Sequence, residues 1–154
     1  MEEQKNNFLC FDTGFIAIYI KYLNRIFKLN ILDVLDKQAR SRSFTRGYLL
    51  ISSIYLIFYD AFNRESFNTL KDYCDRILSI DEKRFIIILR SKYELNVESK
   101  ENIDIVSDEE VLEYINNKND NDNIFFFHLS NYEKYESGIN NLLEFIIIKS
   151  IKQI

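Results

Sequence analysis

Apolar positions fall into two patterns, short continuous runs and longer stretches with helical spacing. Tyr55–Asp60 (YLIFYD), Arg84–Leu89 (RFIIIL) and Ile124–Leu129 (IFFFHL) read as buried strands, and Asn6–Asp12 and Leu29–Asp36 as two more. Glu65–Ile80 places Phe67, Leu70, Tyr73, Cys74, Ile77 and Leu78 at helical intervals. Ser107 opens a predicted helix through Asn117, and Ser107 with Glu110 fits a capping box. Gly14–Lys28 also reads as a helix, ending in YLNRIFK; Arg42–Leu50 reads as turn and helix, and Ser137–Ile151 as the last helix. Near-continuous apolar strands alternating with helices predict a mostly parallel sheet covered on both faces. Ligands of such sheets sit at the carboxyl ends of the strands. The informative positions are therefore Asp12–Gly14, Asp36–Gln38, Asp60–Arg64, Arg90–Leu95 and Ser130–Tyr132.

Composition narrows the function classes. A chain of 154 residues, 47% hydrophobic, has the size and the apolar content for one folded domain. The expected organisation is a tail over residues 1–7 and a single domain over 8–154. A net charge of −4 and the absence of a basic face argue against general nucleic-acid binding. The only cysteines, Cys10 and Cys74, form no metal-binding spacing, and His128 stands alone. These exclude a His-rich zinc site and argue against a Ser-His-Asp triad; His128 reads as a strand-end residue. The apolar runs at residues 8–20 and 47–59 are too short to span a bilayer. A reducing, cytoplasmic location is the expectation.

The segment YDAFNRESFNTLKDY, Tyr59 to Tyr73, resembles the part of Ras and Rab small GTPases that closes the fourth strand and enters the third helix. In that resemblance Asp60 and Asn63 shape the turn, and Ser66 and Phe67 anchor the helix start. LDVLDKQARSRSFTRGYL resembles the strand and switch II segment, with Asp36 at the DxxG aspartate. FIIILRSKYEL resembles the strand and NKxD motif, and IFFFHLSNYEKYESGINNLLEFII the strand, SAK motif and last helix. FLCFDTGFIAIYIKYLNRI resembles the first strand, phosphate loop and first helix. The resemblance implies a three-layer α/β/α G domain of the P-loop NTPase type, with a mostly parallel central sheet. Arg25–Phe27 runs almost directly into KLNILDVLD, so the domain is expected to be truncated around switch I and the second strand.

The same resemblance sets the chemistry to look for. A phosphate loop needs glycines for its backbone cradle, Lys for the β/γ-phosphates and Ser/Thr for Mg²⁺. Asp12, Thr13 and Gly14 are the remnant, with Ala17 at the lysine position and Ile18 at the hydroxyl position. Asp36 and Gln38 are the switch II remnant. Gln38 falls near the glutamine that orients attacking water, but its simpler reading is a solvated loop residue. The guanine end retains Ser91, Lys92 and Glu94 at NKxD, and Ser130 and Asn131 at SAK. The expectation is a pseudo-GTPase acting as a protein-interaction module in vesicle traffic or signalling. It has no catalytic residue, no metal ligand, no cofactor, no nucleic-acid partner, and no lipid anchor or transmembrane segment. Residues Arg40–Tyr48, with Arg40, Arg42 and Arg46, are its candidate docking segment. The alternative is a divergent GTPase that binds GTP or GDP with Mg²⁺ and hydrolyses GTP.

Overall fold

The computed structural model describes residues 14–34, 47, 49–91, 104–118, 122–129 and 135–151. The chain divides into two compact units, residues 1–51 and 52–154. In the first unit, strand β1 (Phe15–Tyr22) pairs antiparallel with β2 (Arg25–Leu32). Gly47 and Leu49–Ile51 are helical, within the stretch expected as turn and helix.

The helix expected over Gly14–Lys28 is therefore a hairpin, and two strands stand where the sequence pattern predicted a helix and one strand. Ile16, Ile18 and Ile20 alternate with Phe15, Ala17 and Tyr19, and β-branched and aromatic side chains suit a pleated strand better than a helix. Leu23 and Asn24 turn the chain with φ of 47° and 60°. Left-handed backbone at both central residues defines the two-residue hairpin turn whose twist matches the strands. The strand expected over Leu29–Asp36 ends at Leu32.

In the second unit, β3 (Ile54–Asp60), β4 (Phe85–Ser91) and β5 (Ile124–Leu129) form a parallel sheet in the order β3-β4-β5. Helices α1 (Arg64–Leu78), α2 (Asp108–Lys118) and α3 (Tyr135–Ile151) connect and cover it. All six elements fall within a few residues of the sequence expectation. The register sets Tyr59, Arg90 and His128 in one row across the sheet. On that face the Tyr59 ring packs 5.4 Å from Phe67 of α1, and Phe67 meets Tyr114 of α2 edge-on at 6.2 Å. On the other face Phe125 and Phe127 meet Phe145 of α3 at 4.9 and 4.8 Å. Helices thus cover both faces. Ile86–Leu89 of the central strand are fully buried, as a strand sandwiched between helix layers must be.

Helix α1 buries Phe67, Leu70, Cys74 and Ile77. Burial pushes the Cys74 thiol from its ordinary 9.0 up to about 12, and the Tyr59 phenol from 10.0 up to about 12. The folded chain then holds protons that the unfolded chain releases as pH rises past 9. By linkage, stability is fully retained below that pH and falls between about 9 and 12. Urea unfolding series at pH 7, 9 and 10.5 check this, with a midpoint that declines only in the alkaline samples.

Candidate functional site

The carboxyl ends of the parallel strands lie level, with Asp60 beside Ser91 and Ser91 beside Leu129. Lys92 and Glu94 follow Ser91, and Ser130 and Asn131 follow Leu129. These four residues lie outside the described ones, as do Asp12, Thr13, Asp36, Gln38 and most of the Arg40–Tyr48 segment. The register sets only the carboxyl ends of β4 and β5, Ser91 and Leu129, beside one another.

The turn leaving β3 is closed on itself. The Asp60 carboxylate accepts the Phe62 N–H at 2.9 Å, and the Asp60 carbonyl accepts the Asn63 N–H at 3.0 Å. The Asn63 side chain caps α1 by accepting the Ser66 N–H at 3.2 Å. The Ser66 hydroxyl accepts the Asp60 N–H at 3.0 Å, and Phe67 fills the core beneath. Each of the four residues holds the role that the family resemblance gave it.

The strap before α2 is tied to the same turn. Val106 is fully buried and its N–H donates to the Ala61 carbonyl at 2.9 Å. Arg64 grips Asp104 with two donors, at 2.9 and 2.6 Å, and also donates to Glu110. The guanidinium holds the Asp104 carboxyl below its ordinary range. The Ser107 hydroxyl accepts the Glu110 N–H at 3.2 Å, half of the expected capping box. The Glu110 carboxylate completes no box because Arg64 takes it.

One cluster here escaped sequence inspection. Asp108, at the start of α2, bonds Arg90 of β4 through one carboxylate oxygen and His128 of β5, at 2.9 Å, through the other. Arg90 and His128 are paired residues of neighbouring strands. Their two-residue alternation with Ile88 and Phe126 was the available signal for a shared face. His128 is a strand-end residue as expected, and its neighbours make it a tie between sheet and helix. A carboxylate at the first turn of a helix is also favoured by the helix dipole.

The phosphate-end candidates are placed differently from expectation. Ala17 and Ile18 lie inside β1, so the comparison that set them at the lysine and Mg²⁺ hydroxyl positions does not hold. Gly14 precedes β1 and opens no helix. Its carbonyl accepts the Asp33 N–H at 2.7 Å. A Cβ on Gly14 would lie 3.4 Å from the Asp33 Cβ and 4.0 Å from a carboxylate oxygen. Asp33 is also the first carboxylate after the strand, ahead of Asp36.

The sequence matches the family model described as the Ras family over residues 4–151. The chain belongs to the Ras family. Nearly the whole sequence is covered, and the parallel β3-β4-β5 sheet with its helices agrees with a G domain of the P-loop type. No match was found among curated proteins. No described helix of this Ras-family chain is long and apolar enough to cross a membrane.

Proposed function

We propose that this Ras-family chain is a pseudo-GTPase of the cytoplasm, a Rab/Ras-like scaffold that binds another protein without switching on nucleotide. The observation that carries the reading is the geometry at Gly14. The remnant glycine of the expected phosphate loop sits at the foot of a hairpin, with its carbonyl engaged and the Asp33 carboxylate close by. A phosphate cradle requires a run of backbone N–H groups ahead of a helix, and a carboxylate there repels a polyphosphate. An established family role in vesicle traffic or signalling is the setting in which such a scaffold would act on a protein partner.

A second reading keeps residual guanine recognition, and the level ends of β4 and β5 favour it. Ser91 ends β4 beside Leu129 of β5, and Lys92, Glu94, Ser130 and Asn131 follow these strand ends in the sequence. Under it the chain would bind GTP or GDP with Mg²⁺ and retain hydrolysis. The experiment is nucleotide analysis of the purified protein after acid release. The proposal expects no guanine nucleotide; near-stoichiometric GDP or GTP would overturn it. Loss of that nucleotide in Lys92→Ala and Glu94→Ala variants would establish the second reading.

A further inference from the structure

The tip of the β1–β2 hairpin is built in a way that neither family membership nor a vestigial nucleotide site explains. Leu23 occupies the first central turn position with φ of 47°, a conformation that favours Gly, Asn and Asp. It is 78% exposed, and Ile26 beside it is 74% exposed. A large aliphatic side chain is thus held outward at a position where the backbone prefers a small or polar one. Strain of this kind concentrates at functional positions.

Charge around the tip has one sign. Lys21, Arg25 and Lys28 are all exposed, and the only acid among residues 14–34 is Asp33, at the opposite end of the hairpin. This cationic collar stands on a chain of net charge −4. Lys21 pairs with Ile26 and Tyr22 with Arg25, so Lys21 and Arg25 project from opposite faces of the ribbon. Lys28 lies over the Tyr19 ring, 5.9 Å from its centre, which holds its charge near the collar.

From this we infer that the hairpin tip is a peripheral contact for an anionic lipid surface. Leu23 and Ile26 enter the interfacial region, and Lys21, Arg25 and Lys28 meet the headgroups. A bilayer fits better than an acidic groove on a protein. The apolar tip is convex and its cations lie on both faces of the ribbon, so a surface that surrounds the tip satisfies all of them. A protein edge would meet one face. Each cation near such a surface contributes about a fivefold gain in partitioning, and screening shortens the attraction as salt rises. The contact needs neither a lipid anchor nor a spanning helix, and it is reversible.

The experiment is sedimentation of the full chain with phosphatidylcholine vesicles, with and without phosphatidylserine, at low and high salt. Binding is expected only with phosphatidylserine, with release at high salt. Leu23→Asn is the informative variant, because Asn suits the left-handed turn and the fold should not suffer. Its Tm is expected to match or exceed that of the parent while vesicle binding falls severalfold. Lys21→Glu with Arg25→Glu should lower binding by more than tenfold, on the order of the per-charge factor compounded. Unchanged binding by Leu23→Asn, or equal binding to vesicles without phosphatidylserine, would overturn the proposal. Absence of binding by the parent chain would likewise overturn it.

Discussion

Phe67→Ala is expected to lower folding stability by about 3–5 kcal/mol, the range for emptying a buried aromatic site. Phe67 has no exposed surface. It joins three elements, since its ring meets Tyr59 of β3 at 5.4 Å and Tyr114 of α2 at 6.2 Å from its own place on α1. Lys71 also lies over the ring at 4.4 Å. Truncation removes these contacts together, and the rigid sheet on one side limits collapse into the void. For a chain of this size the loss corresponds to a fall in Tm of roughly 10 °C. Phe67→Leu keeps most of the apolar volume and should lose clearly less. Thermal melts of the two variants separate the aromatic contribution from the volume contribution. Equal melting of Phe67→Ala and the parent would contradict the packing described for α1.

The second large effect is expected at Asn123→Ala, about 1–3 kcal/mol, from removing a buried amide that bonds two part-buried carbonyls. Asn123 is the only buried polar or charged residue among the described ones, at 3% exposure. Its side-chain amide donates to the Glu82 carbonyl and, at 2.9 Å, to the Arg84 carbonyl. Its own carbonyl accepts the Ile86 N–H at 2.9 Å. One residue thus aligns the entry of β5 with the entry of β4. Asn123→Asp offers no side-chain donor when ionised and should be at least as damaging as Asn123→Ala near neutral pH. Denaturant melts quantify the loss. Amide exchange at Ile86 checks its location, because the disturbance should begin at the amino ends of the two strands.

How far the sequence disclosed this molecule differs between its two units. In residues 52–154 the apolar runs were unambiguous. RFIIIL and IFFFHL are too short for helices and too apolar for exposed strands, and the spacing of Phe67, Leu70, Cys74 and Ile77 admits only a helix. The turn at Asp60–Ser66 was legible because its polar residues satisfy one another locally. Residues 14–32 misled. An apolar run with Tyr, Ile and Phe satisfies either period, and the conjectured phosphate loop favoured helix. Alternation of Ile16, Ile18 and Ile20, with Leu23-Asn24 as a two-residue turn, was the signal that should have outweighed it. That error moved Ala17 and Ile18 onto positions they do not hold. The Arg90–Asp108–His128 cluster was hidden for another reason, since it depends on the register of two strands and the seat of a helix start, which spacing alone does not give.

On the proposed pseudo-GTPase reading, this Ras-family chain does not recognise phosphate, and any remaining affinity would reside at the base end. Equilibrium titration of nucleotide-free protein with GDP and with guanosine, each with and without Mg²⁺, tests it most directly. The expected result is no measurable gain from the diphosphate or from Mg²⁺, with GDP binding no more tightly than guanosine. Micromolar or tighter GDP affinity that depends on Mg²⁺ and is lost with guanosine would contradict the account.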